Sequence, residues 1–175
     1  VSVPDGERIE DLGISFRLGV NEDRYGFRRR PYASRVGFEA EYATGVDGFR
    51  IEAAADQRRE SSPVHFIERA RMSELEVINF HGFGNATADA STDFFEVRQQ
   101  QWLLHLAVGL ALGPRSDLSF GPVVQFSTTD STPDRYIAAT QPYGFGDFGQ
   151  AGLRLSLHHD VRDQPENPRR GFLID

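Results

Sequence analysis

Apolar and polar side chains alternate one by one along several stretches of this sequence, and the clearest stretch is 98–112. Six apolar residues occupy every second position there: Trp102, Leu104, Leu106, Val108, Leu110 and Leu112. Since successive side chains of a β-strand point to opposite faces, this pattern predicts a strand with one continuous apolar face. Apolar residues spaced three and four apart, as in an amphipathic helix, form no comparable run. The alternation therefore predicts an all-β fold.

Other alternating stretches and the segments between them indicate how the strands are connected. The further stretches are 12–21, 34–43, 48–56, 118–127 and 152–161. A weaker stretch at 66–80 places Glu68 and Glu76 on one parity and Leu75 on the other, which predicts a bulge or a change of register. Turn-forming segments lie at 23–26, 44–48, 82–93, 113–117 and 128–146. About eight or nine strands are readable, and sequential neighbours should pair as an antiparallel up-and-down meander.

The polar parity of these stretches carries acidic and basic residues together. They are Glu39, Glu41, Glu52, Asp56, Arg17, Arg35, Arg50 and Arg154. All 19 basic residues of the chain are arginine, whose planar group suits partly buried ion pairs. We expect these charges to pair across strands on an inward face, with lipid on the apolar face. A tilted strand needs about 9–11 residues to cross a membrane, and several of these stretches reach that length. The predicted fold is therefore part of a transmembrane β-barrel.

Composition and charge disfavour several other functions. A net charge of -7 and a pI near 5.2 argue against nucleic-acid binding, which needs a concentrated basic surface. The chain has no cysteine, which excludes disulfides, a thiol nucleophile and cysteine-based metal sites. His158 and His159 are neighbours and should face opposite sides of a strand, so they cannot share a metal ion. No cofactor is expected.

The most specific segment is the last one. A predicted strand ends in Asp160-Val161-Arg162-Asp163, and the connection after it carries Pro168-Arg169-Arg170-Gly171. Asp160 and Arg162 share a parity and can pair, while Asp163 can cap the turn. Pro168 restricts φ, and Gly171 permits a close approach of two backbones.

Two more segments add to this pattern, Gly82-Phe83-Gly84-Asn85 before the stretch 93–98, and the Gly-rich and Phe-rich stretch 142–149. Together with the last segment, this arrangement resembles the BamA/TamA-type family, also called bacterial surface antigens, over about residues 12–175. Arg170-Gly171-Phe172 has the letters of that family's lumenal loop tip, but it belongs to the turn and is not counted as that tip.

The resemblance implies an integral protein of the Gram-negative outer membrane that assists insertion or transport of proteins or lipids. It implies outer-membrane lipid, client outer-membrane proteins and periplasmic accessory proteins as partners. The family barrel has about sixteen strands. We therefore expect residues 1–175 to be one partial barrel domain, its front half, truncated at the C-terminal end and at the N-terminal end. An open half-barrel has two unpaired edges and should fold poorly alone.

Two other functions remain open at this stage. A soluble ligand-binding β-barrel would turn the apolar face inward. A membrane-barrel hydrolase would need a Ser–His pair, and His105 is predicted inward, yet no Gly-x-Ser-x-Gly elbow accompanies it. Some relatives of this barrel are fused to phosphoesterase or patatin-like domains, and such an activity would lie outside this chain. We predict that the chain itself is not an enzyme.

Overall fold

The computed structural model describes residues 13–83 and 90–175, which form one antiparallel sheet of eight strands in the order β1 to β8. The strands are β1 (Ser15–Gly26), β2 (Arg29–Ala43), β3 (Gly48–Arg58), β4 (Val64–Asn79), β5 (Glu96–Gly113), β6 (Ser116–Thr129), β7 (Asp147–Asp160) and β8 (Leu173–Ile174). Each strand pairs with its neighbour in the chain, so the predicted all-β meander is confirmed. β1 and β8 are the two edges of an open sheet.

Two short helices lie in the long connections. Helix α1 (Thr92–Phe95) precedes β5, and helix α2 (Tyr136–Thr140) lies between β6 and β7. They have 4 and 5 residues, and no described helix is long and apolar enough to cross a membrane.

The strand register places the predicted polar parities side by side on one face of the sheet. One row of this face runs across six strands through Arg17, Glu41, Arg50, Ser73, Gln101 and Ser127. The opposite face joins the apolar parities, for example Leu18 with Ala40 and Trp102 with Phe126. A one-residue slip in any pair would exchange the two faces, so the alternation itself specifies this register. We call the two faces inward and outward.

Strand β4 contains the irregularity that the sequence predicts. Between Ser73 and Glu76 it advances three residues while β5 moves only from Gln101 to Gln99, so β4 has one extra residue. The bulge turns Leu75 into a small buried apolar cluster with Ala43 and Val46. After the bulge, the even-numbered residue Glu76 lies on the inward face, which explains why the parity changes within this stretch.

Each end of the sheet has its own set of connections. One end, the turn end, has connections at 27–28, 59–63, 114–115 and 161–172, and the other, the loop end, has them at 44–47, 80–95 and 130–146. The predicted turn at 23–26 is wrong, because β1 continues to Gly26. Asp23 extends the strand there by accepting two hydrogen bonds of 2.6 Å from Arg35 of β2. The turn itself falls at Phe27–Arg28, where Arg28 has a φ of 56°.

Candidate functional site

The outward face is an apolar band of exposed side chains. Leu104 is 46% exposed, Phe38 50% and Leu155 69%, and the same holds along β1 to β7. On β5 the band reaches from Trp102 to Leu112. No other layer of this chain covers it within the described residues, because they form a single sheet. A contiguous apolar surface of this kind is where a protein meets a membrane or a partner.

Glu68 is the exception within this band. It pairs with Leu106 of β5 and Ala55 of β3, both outward, and its side chain is exposed. Leu106 lies near the middle of the band on β5. Other outward charges, such as Glu22 with Arg24, lie where the band ends.

The inward face holds the buried polar groups, several of which form a chain of ion pairs near the loop end. Glu41 is 6% exposed and accepts hydrogen bonds from Arg17 at 3.1 Å and from Arg50 at 3.2 Å. Arg50 also lies 3.8 Å from Glu76, beyond the bulge. Four strands are thereby linked through alternating charges, as expected for cross-strand pairs.

A second inward cluster is centred on His65, which is 2% exposed. Its Nδ1 lies 2.7 Å from Asp56 Oδ1, and its Nε2 lies 2.5 Å from Asp117 Oδ2. Asp56 also accepts hydrogen bonds from the Tyr32 hydroxyl at 2.6 Å and from Arg58 at 2.9 Å. With both carboxylates ionised, each can only accept, so both ring nitrogens donate, which is the imidazolium form.

The contact between His65 and Asp117 crosses strand β5 completely. His65 belongs to β4 and Asp117 to β6, and the β5 residue paired with His65 is Gly109. A Cβ on residue 109 would overlap the His65 ring. Glycine at this position therefore opens the path over which the imidazole reaches Asp117.

The connection from β7 to β8 contains the motif residues of the last segment. Arg162 donates to both oxygens of Asp160, with Nε–Oδ1 at 2.9 Å and Nη2–Oδ2 at 3.1 Å. Asp163 Oδ1 accepts from the backbone N–H groups of Gln164, Arg169 and Arg170 at 2.9, 3.0 and 3.2 Å. The bonds from Arg169 and Arg170 hold the pKa of Asp163 below its usual range.

Pro168, Arg170 and Gly171 complete this connection. The backbone N–H of Asp163 donates to the carbonyl of Arg170 at 3.0 Å. Gly171 has a φ of 97°, and a Cβ there would overlap the backbone of Val161 and Arg162. Only glycine fits this close approach without strain.

At the loop end, Gly82 and Phe83 belong to an aromatic cluster that joins two connections. The rings of Phe80 and Tyr136 lie 6.0 Å apart, and those of Phe95 and Tyr136 lie 5.6 Å apart. Gly82 has a φ of 85° and faces the Tyr136 hydroxyl, while Phe83 is 88% exposed. Gly84 and Asn85, the rest of this predicted motif, lie outside the described residues.

The sequence singled out three histidines as candidates for catalysis or metal binding, and all three lie in the part of the chain that the structure describes. No group of three potential metal ligands occurs there. His105 is inward, as predicted, but Nε2 is buried without a hydrogen-bond partner and no described serine donates to its ring. His158 pairs with Asp117, which is inward, and His159 pairs with Ser116, which is outward. The two imidazoles therefore belong to opposite faces of the sheet.

Comparison of this chain with protein-family models, curated proteins and solved structures finds no match. The class of protein is therefore defined by the fold and by the two faces of the sheet. It is an antiparallel all-β meander with an apolar outward face and a polar inward face. The contacts of His65 are the feature that the sequence did not reveal. An inward histidine and a glycine in an otherwise regular strand were the available signals.

Proposed function

We propose that this chain forms part of a transmembrane β-barrel in the outer membrane of a Gram-negative bacterium. The observation that carries the proposal is the exposure of the two faces. The apolar row of β5 is about half exposed while inward Glu41, His65 and Ser73 are 6%, 2% and 0% exposed. Burial of polar groups beside exposed leucines is unfavourable in water but favourable where lipid surrounds the outer surface.

The dimensions of the strands agree with this environment. β1 to β7 have between 11 and 18 residues, and about 9–11 tilted residues cross the hydrocarbon core. Backbone groups are paired between successive strands, which a lipid environment requires. A soluble ligand-binding barrel would need the opposite arrangement, with the apolar row buried and the charged row in water.

Within this class, we propose a BamA/TamA-type role, in which the barrel assists insertion or transport of proteins or lipids. The support is the connection after β7, where Asp160, Arg162, Asp163 and Gly171 combine as the resembling motif would require. Outer-membrane lipid and client proteins are the partners this role implies.

The outward face is tested by single cysteines in the full-length protein, with any cysteine outside this chain replaced by serine. Leu104→Cys on the outward row is compared with the matched neighbour Leu103→Cys on the inward row. A fluorophore at 104 should be quenched by nitroxide-labelled lipid chains, and one at 103 by a water-soluble quencher. Equal quenching by the aqueous reagent at both positions would overturn the lipid-facing assignment.

Membrane integration is tested in parallel on the unmodified full-length protein. It should stay in outer membranes washed with urea and migrate differently in detergent gels with and without boiling. Release by urea without a gel shift would favour the soluble barrel.

The assembly role requires a separate test, because a barrel can lack it. Depletion of the full-length protein should reduce the folded amounts of other outer-membrane proteins or disturb lipid asymmetry. Wild type should restore them, and Asp160→Ala should restore them less well than Arg24→Ala, whose arginine is exposed at the end of β1. Unchanged protein and lipid composition after depletion would remove the assembly role and leave the barrel.

A further inference from the structure

A further region of the inward face lies apart from the chain of ion pairs near the loop end. It is a concavity of about 290 Å³ at mid-height of the sheet, with His105, Arg69 and Arg154 in its lining. Ser119 and Ser156 line it as well. It shares Asp56 with the His65 cluster, and His105, Arg69 and Arg154 lie outside that cluster.

His105 is the residue that points to a missing partner. Its side chain is 7% exposed, and Nε2 is buried with no hydrogen-bond partner among the described residues. A buried ring nitrogen without a partner loses the free energy of its hydrogen bond to water. Because His105 lines the concavity, a ligand placed there can supply the missing acceptor.

The charges around the concavity favour an anion. Arg154 forms no ion pair within the described residues, and its Nε donates only to Ser156 at 3.2 Å. Arg69 forms an ion pair with Glu52, with Nε and Oε1 3.2 Å apart. The other nitrogens of its guanidinium are left for another acceptor.

The other charged lining residues are already engaged. Arg35 is paired with Asp23, and Asp56 accepts from Tyr32 and Arg58. Glu68 belongs to the outward row. The unengaged charge of the concavity is therefore positive.

We propose that this concavity binds an oxyanion, a carboxylate or phosphate group, held by Arg154, Arg69 and the Nε2–H of His105. Guanidinium forks and a ring N–H are the donors that such groups prefer. Two free anions from solution fit this chemistry, inorganic phosphate and a small carboxylate such as acetate. The site goes beyond the proposed barrel role and does not depend on lipid contact at the outward face.

The first probe is inorganic phosphate, added to the full-length protein in detergent, with sodium chloride at equal ionic strength as the control. Phosphate should raise the unfolding temperature beyond the effect of chloride. Arg154→Gln should weaken the apparent affinity about tenfold or more, since one charged hydrogen bond is lost. Arg24→Gln, an exposed arginine on β1, is the matched control and should leave the affinity unchanged.

Sodium acetate at the same ionic strength is the second probe, and it tests a preference for carboxylate. A site specific for carboxylate gives no shift with phosphate but a shift with acetate, and Arg154→Gln and His105→Gln should each weaken that shift. Absence of a specific shift with both phosphate and acetate would overturn the proposal. Lipid-quenching of the Leu104 label reads the other face, so failure here is distinguishable from failure of the barrel assignment.

Discussion

His65 shows how one inward residue can join three strands. The imidazole belongs to β4, and its two carboxylate partners belong to β3 and β6. A buried charge is tolerated only when it is paired and hydrogen-bonded, and here both ring nitrogens are used. The contact with Asp117 spans 52 positions of sequence and depends on the absence of a side chain at Gly109.

Gly109→Ala should therefore destabilise the full-length protein by about 1–3 kcal/mol, the usual range for an added methyl group in a packed site. The new Cβ overlaps the imidazole and displaces it from Asp117. Gly152→Ala is the matched control, since a Cβ there has its nearest neighbour, Val123 Cγ1, at 3.9 Å. Urea unfolding in lipid vesicles measures both. Equal stability of the two variants would show that the His65–Asp117 contact contributes nothing.

Glu68 provides the most critical test of the lipid-facing assignment. A carboxylate near the middle of an outer band opposes insertion, and the opposition weakens toward the interfaces. In vesicles, Glu68→Leu should stabilise the full-length protein by about 1–2 kcal/mol. Glu22→Leu, where the outward row of β1 leaves the band, should change stability much less. A neutral or destabilising Glu68→Leu would mean that Glu68 contacts a polar group and not lipid.

At the scale of elements, the carboxylate of Asp163 links the two sides of the β7–β8 connection. Asp163 accepts hydrogen bonds from the backbone N–H of its neighbour Gln164 and from those of Arg169 and Arg170 on the far side of the connection. These bonds favour the charged carboxylate and lower its pKa, with the bond from Arg169 the largest cause. A lowered pKa in the folded state means that the stabilisation is complete at neutral pH and is lost as pH falls through the folded value.

Hydrogen exchange of the peptide 161–172 should show this dependence. Asp163→Ala should exchange faster than wild type at pH 6. The difference should begin to shrink as the pH falls below about 4, the ordinary aspartate value, and should vanish only below the lowered pKa of Asp163. Using the variant as reference at each pH removes the intrinsic effect of acid on exchange. A difference that persists unchanged to pH 2 would mean that the charge of Asp163 does not hold the turn.

The strands were predictable from sequence because a period of two is a local property. The alternation identifies β5, the inward charges of β2 and β3, and the bulge between Ser73 and Glu76. The end of β1 was not predictable, because Asp23 is a turn-forming residue in isolation and becomes strand through Arg35. The His65 cluster and the His105 concavity depend on register across several strands, which local pattern does not contain. Helices α1 and α2 follow from aromatic packing between distant loops.

At the scale of the whole molecule, the described sheet is open. No described residue pairs with the free edge of β1. At the other edge, β8 contributes only the two residues Leu173–Ile174 beside β7. Unpaired edges next to an exposed apolar band are the combination that promotes aggregation in water. Detergent covers the band but leaves the edges unpaired. The contributions of the band and of the edges to aggregation can therefore be measured separately.

The 175-residue chain by itself should therefore sediment as large, heterogeneous particles in aqueous buffer. In detergent micelles it should disperse and show strand circular dichroism. Leu18→Arg on the edge strand β1, where Leu18 is 73% exposed, should reduce aggregation in buffer, because a charge on an edge strand opposes further pairing. Leu104→Arg is the control. Leu104 lies on the same outward face but on β5, four strands away from β1, so the new charge changes the band but not that edge. A monomer that unfolds cooperatively in plain buffer would contradict both the open edges and the lipid-facing band.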